Sequence, residues 1–253
     1  MKLRPLALLG LARELRTGAG DRRPLAVAGA PALVPLLARE LRAGGDASAV
    51  VEGGDPRAAA ALVWVGDPDE KALRAAVRAD VPVVAVTEAS RVPYVIETRV
   101  VRVRPGEGFP VDKIARALAG ALGEDGTALA ARLPVVRGAV VDELIRSFSR
   151  KNGLIGVAVF IPGVDMPLMT MNQVRLVLRI ALAYGESLDR SRGVELLGVV
   201  GAGFGMRSVA RQALGGVPVA GWAVKGGIGY TGTRAIGEAA RRYFETRSSD
   251  SRT

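Results

Sequence analysis

The residues of this chain that could do chemistry are carboxylates, hydroxyls, amines and backbone amides, because the sequence contains neither His nor Cys. Those absences remove thiol nucleophiles, disulfides, imidazole acid–base catalysis and Cys/His zinc sites. The most promising junction is Gly29, which ends the apolar run Leu25–Ala28 and precedes a helical pattern. A strand that runs through glycine into a helix offers a phosphate free N–H groups and the positive end of the helix dipole. Laid on Gly29, the phosphate-loop pattern GxxxxGK[ST] places Val34 at its second glycine, Pro35 at its lysine and Leu36 at its hydroxyl position. Pro31 and Pro35 also remove two amide donors from the turn.

The other stations of a nucleotide site are equally depleted. After the apolar strand at 82–86 comes Thr87-Glu88-Ala89-Ser90, where a guanine-reading [NT]KxD motif would need Lys in place of Glu88 and Asp in place of Ser90. A DxxG switch beginning at Asp67 would need glycine where Glu70 stands. Gly29, Asp67 and Thr87 are what remains to touch a nucleotide, and Asp67 with Asp69 are what remains to ligate a cation. An Asp beside Pro at a helix start reads first as a cap. No catalytic residue, cofactor or metal is therefore expected.

The elements around these residues alternate. Apolar runs at 25–28, 47–51, 61–65, 81–86 and within 94–103 read as strands, and 32–42, 70–78 and 112–122 read as helices. Near-continuous apolar strands separated by helices predict a doubly wound, mainly parallel α/β sheet over residues 24–122. Residues 1–23 read as an amphipathic N-terminal helix with a Leu3, Leu6, Leu9 stripe, docked on the protein or lying at a lipid interface. Residues 123–150 read as a connector with breaks at Glu124-Asp125-Gly126 and Pro134 and a helix from Val136 to Arg150.

Residues 151–246 change character, toward apolar helical stretches rich in small residues. Leu154–Val174 carries Asp165 as its single charge and is long enough to span a bilayer, but Pro162-Gly163 and Pro167 interrupt it. Two short helices about a Pro/Gly turn, or a re-entrant segment, are expected there. Asp165 needs a partner, for which Arg175 and Arg179 on the next helix are candidates, or else it caps that helix. Gly201 and Gly205 have the GxxxG spacing of close helix approach. Gly226-Gly227-Ile228-Gly229 reads as a turn between helices, Arg234–Arg247 as a last helix, and residues 247–253 as a disordered polar tail.

Charge adds a direction. The chain has 35 Lys and Arg against 25 Asp and Glu. The net is +4 over residues 1–23, zero over 24–122 and +6 over 123–253. Basic flanks suit an anionic surface, either a membrane leaflet or nucleic acid. With 4% aromatic residues there is little with which to stack on bases, so nucleic acid ranks last.

In the second half, Ile161-Pro-Gly-Val-Asp-Met-Pro-Leu168, Gln173 in a helix ending at Ala183-Tyr184-Gly185, Lys225, Thr233-Arg-Ala-Ile-Gly-Glu238 and Tyr243-Phe244 resemble the YcjF-type domain of unknown function. The resemblance spans roughly residues 140–246. It implies a helical, membrane-associated bacterial domain of the kind found behind Era-like GTPase domains, with Asp165, Gln173, Arg175, Arg179, Gly201, Gly205 and Thr233 as its membrane or structural positions. It further implies that the α/β domain is a GTPase-like domain that has shed its nucleotide motifs. The expected function is a non-catalytic, membrane-associated scaffold or regulator. Its α/β domain would face the cytoplasm, and its partners would be the cytoplasmic membrane surface, an unidentified protein and a second copy of itself. A divergent nucleotide-binding switch and a basic nucleic-acid-binding protein are the alternatives.

Overall fold

The computed structural model describes residues 20–104, 106–158, 165–187 and 222–250. The chain divides into two compact units, Gly18–Glu143 and a second one made by Leu144–Thr253 with Met1–Thr17.

The first unit is built on strands β1 (Leu25–Gly29), β2 (Val50–Glu52), β3 (Ala61–Val65), β4 (Val83–Thr87) and β5 (Val100–Arg102), all parallel, in the order β2-β1-β3-β4-β5. Helices α1 (Val34–Arg42), α2 (Glu70–Arg78) and α3 (Val111–Leu122) follow β1, β3 and β5. Alternate side chains of the central strands face opposite sides. Leu25, Val27, Val63, Val65, Val84 and Val86 pack with Leu37 and Leu41 of α1 and Ile114 and Leu118 of α3. Ala26, Leu62, Val83 and Ala85 pack with Leu73 and Ala76 of α2 on the other side. Both faces are dry and covered, as the apolar strand sequences require, and the expected doubly wound α/β architecture is present.

This unit extends past the expected end at Leu122. After a 3-10 turn at Gly123–Gly126 come α4 (Thr127–Arg132) and α5 (Pro134–Ala158). Leu129, Leu133 and Val136 join the α1/α3 core. Arg132 donates to Asp46 Oδ2 at 2.9 Å, to Ser48 Oγ at 3.1 Å and to the Arg22 carbonyl at 3.0 Å. The Glu124–Gly126 break bends the chain back onto the sheet, so the connector is half core. Strand β2 begins three residues later than the apolar run, because Asp46 accepts from the Ser48 amide and starts a 3-10 turn over Ala47–Ala49.

The second unit contains the distal part of α5, helix α6 (Asp165–Ala183) and helix α7 (Trp222–Asp250). The apolar stretch 154–174 is thus shared between the end of one long helix and the start of the next, while Pro162-Gly163 lies outside the described residues. Two expectations are corrected here. Residues 226–229 are inside α7 rather than in a turn, and residues 247–250 of the expected disordered tail belong to α7, while 251–253 lie outside the described residues. Arg241 to Glu245 and Arg247 to Tyr243, each one turn apart, support that extension. The N-terminal helix, Gly201 and Gly205 lie outside the described residues. No described helix is long and apolar enough to cross a membrane.

Candidate functional site

An open parallel sheet binds its ligand beyond the carboxyl ends of its strands, at the point where the strand order reverses. Here that point lies between β1 and β3, and it is filled by backbone. Gly29 has φ +128°, and a Cβ on it would stand 2.0 Å from the Val65 carbonyl oxygen. Its identity is set by this close approach. Gly66, with φ +98°, leaves room for Ala30, whose Cβ would be 2.8 Å from one on Gly66. The Ala30 amide donates to Val65 O at 2.8 Å, and the Leu33 and Val34 amides both donate to Ala30 O. Pro31 and Pro35 have no amide to give. The Ala30, Leu33 and Val34 amides, which could have faced a phosphate, are thus spent within the fold.

The remaining carboxyl-end candidates have local roles. The Asp69 carboxylate accepts from the Ala72 amide at 3.1 Å and caps α2, with Glu70 in the favourable first turn. The Asp67 carbonyl accepts from Trp64 Nε1 at 2.8 Å. Thr87 is buried, and its hydroxyl accepts from the Ala89 amide at 3.1 Å, shaping the turn after β4. Among the described residues, no group of three or more acidic side chains is placed to hold a metal ion.

The opposite edge of the sheet is open. At the amino ends of β3, β4 and β5 lies a cleft of about 480 Å³, bordered by Val77, Asp80, Tyr94, Ile96, Arg99 and Asp125. Asp21 and Arg23 close it on the β1 side, the carboxylate receiving the guanidinium through both oxygens at 2.8–3.1 Å. That hydrogen-bonded guanidinium holds the Asp21 carboxyl below its ordinary range.

The second unit is organised around Asn152. This residue is fully buried on α5, and its Nδ2 donates to Thr233 Oγ1 at 2.8 Å and to the Met169 carbonyl at 3.2 Å. Its Oδ1 accepts from Asn172 Nδ2 at 2.9 Å. Thr233 accepts also from Gln173 Nε2 at 3.3 Å and donates to the Gly229 carbonyl at 2.8 Å. One buried network therefore ties α5, α6 and α7 together, with every donor of the Asn152 amide and of the Thr233 hydroxyl used. The helices approach closely at glycines of α7. A Cβ on Gly229 would be 2.7 Å from Asn152 O, and one on Gly237 would be 2.6 Å from Ile145 Cγ1. At the far end, Tyr184 stacks on Phe244 at 5.9 Å and donates to Glu245 at 3.1 Å.

Of the expected positions, Gln173 and Thr233 meet in this network. Arg175 and Arg179 are half-buried on α6, and Asp165 opens that helix. Asn152 carries no sign in the sequence, because a single Asn on a helix has no period and only Phe148 and Gly156, one turn to either side, mark it as inward; Asn172 falls by periodicity on the polar face of α6 with Arg175, Arg179 and Glu186, with no sign that it meets Asn152.

The end of the unit nearest Asn152 is unusually apolar at its surface. Leu154 is 69% exposed, Leu168 50% and Ile228 46%, and Val157 is also exposed. Leu168 and Ile228 each adjoin a residue that meets Asn152, so they occupy the same level of the bundle. Exposed Arg150, Lys151 and Arg234 belong to that half of the unit, and Lys151 sits 5.0 Å over the Phe148 ring.

No protein-family model, curated protein or solved structure matches the chain.

Proposed function

We propose that this protein is a non-catalytic scaffold or regulator that associates with the cytoplasmic membrane surface through its helical unit. The observation that carries the reading is the apolar end of that unit, with Leu154, Leu168 and Ile228 in solvent beside Arg150 and Lys151. Exposed aliphatic side chains next to cations match the two layers of an anionic lipid surface, hydrocarbon beneath charged headgroups. Insertion of a few side chains needs no spanning helix.

The helical unit is read as a YcjF-type domain, and the α/β unit as a module that presents a protein-binding surface instead of a nucleotide. The sheet order 2-1-3-4-5 is that of flavodoxin-type sheets. Descent from a P-loop GTPase therefore rests on the family resemblance of the other half alone.

Flotation of the full chain with vesicles tests the reading. The protein is expected to float with vesicles containing phosphatidylglycerol and to stay behind with pure phosphatidylcholine. The triple variant Leu154→Ser/Leu168→Ser/Ile228→Ser should lose most of the floated fraction while keeping its helical circular dichroism. Full-length protein that stays unbound at moderate salt with either vesicle would overturn the proposal.

A further inference from the structure

Among the described residues of the α/β unit, three of the four large hydrophobic side chains left exposed, Val77, Tyr94 and Ile96, border the cleft at the amino edge of the sheet, and Leu36 lies elsewhere. A monomer scatters such residues; gathering them around one concavity marks a binding surface. Tyr94 is 47% exposed and has φ +62°, in a turn with Pro93 before it where glycine is the usual occupant. Only one other described non-glycine residue has positive φ, and it is Asp80, in the same cleft at +57°. Glycine would take this conformation without strain. The Tyr94 hydroxyl donates to Glu70 in the first turn of α2 at 3.1 Å, which lays the side chain along that helix.

The electrostatics select the ligand's sign. Val77 lies in the last turn of α2 and Ala121 and Leu122 end α3, so the negative ends of two helix dipoles meet at the cleft. Asp80 stands two residues beyond the end of α2 and Asp125 three beyond the end of α3. Against them stand Arg99 and Arg23, the latter bonded to Asp21 and also facing Asp125. In a chain of net charge +10, a lining with Asp21, Asp80 and Asp125 against Arg23 and Arg99 is a local excess of negative charge beside Tyr94 and aliphatic walls.

We propose that this cleft is a binding site for a small organic ammonium ion with an apolar body, the cation directed at Asp80, Asp125 and the helix ends and the body lying against Val77, Tyr94 and Ile96. The volume of about 480 Å³ suits a ligand of that size. The site is independent of membrane association.

Amide NMR titration of the full chain with 2-phenylethylammonium and with 3-phenylpropionate, the same ring on an oppositely charged tail, tests the assignment. The amine is expected to give saturable shifts centred on residues 77, 80 and 94–99, and the carboxylate none. Asp80→Asn/Asp125→Asn, which keeps side-chain shape and tolerance of positive φ, should weaken amine binding at least about tenfold. Tyr94→Gly should do the same without lowering the melting temperature, an outcome that a purely structural tyrosine would not give. Preference for the carboxylate, no saturable shifts with either compound in the millimolar range, or unchanged amine binding by Tyr94→Gly would overturn the proposal.

Discussion

The interiors of the two units solve the same problem by different means. The α/β unit buries valine, leucine and alanine on both faces of its sheet, and its few buried polar groups, such as Thr87, serve a local turn. The helical unit puts an asparagine, a threonine and their amide partners at the level where its three described helices meet. An apolar core gains stability from area alone and tolerates approximate fit, whereas a buried polar network holds only one arrangement and penalises every other. The first unit is thus specified by pattern and the second by a handful of directional contacts.

The largest expected effect tests the pattern-specified unit at its tightest point. Gly29→Ala should cost about 4 kcal/mol, from strain at positive φ together with overpacking against the Val65 carbonyl. Urea unfolding followed by Trp64 fluorescence in a Trp222→Phe background reads this unit alone. A cost below about 1 kcal/mol would mean that Gly29 is there for something other than packing. Leu118→Ala, at a fully buried position, should cost about 3 kcal/mol by the same measurement.

In the helical unit Asn152→Ala should cost about 2–3 kcal/mol, because Thr233 and Asn172 lose their buried partner. Helical circular dichroism during denaturation checks it. One turn away on the same helix, Ser149 is buried with no hydrogen-bond partner for its hydroxyl among the described residues. Ser149→Ala should therefore stabilise the unit by about 1 kcal/mol, the opposite sign for a neighbouring polar residue. If both variants shift stability the same way, the network is not what organises the unit.

The smallest effect is one of acidity. Hydrogen bonds from Ser48 and then Arg132 lower the Asp46 carboxyl to about 2 from an ordinary 3.8. A depressed folded-state pKa stabilises the fold above the unfolded value and ceases to do so as the pH falls through the folded one. Stability of the α/β unit should thus decline between about pH 4 and 2, and Asp46→Asn should flatten part of that decline in acid titrations read by Trp64.

How far the sequence could be read follows from the same contrast. Ala61–Val65 and Glu70–Arg78 were legible to the residue, since an unbroken apolar run between turn signals and an Asp-capped amphipathic repeat leave no competing state. The missing phosphate-loop side chains were legible too, and the structure adds that the Ala30, Leu33 and Val34 amides are consumed internally. The return of α4 onto the sheet was not, because Arg132 reaches partners 84 to 110 residues away in the chain. The amino-edge cleft was also invisible: its borders come from the ends of six elements, and although Pro93 marks a turn, no local pattern brings Tyr94 and Asp80 to one cleft.

Asn152 is followed by Gly153, the dipeptide in which a free backbone most readily lets the amide nitrogen attack the side chain and release ammonia. Inside α5 that nitrogen is committed to the helix, and the side chain is held away by three bonds. Folding therefore protects its own keystone from chemical ageing. A molecule that has lingered unfolded and converted to aspartate at this position returns with an acceptor and a charge where two donors are needed, and the damage is recorded permanently in its core.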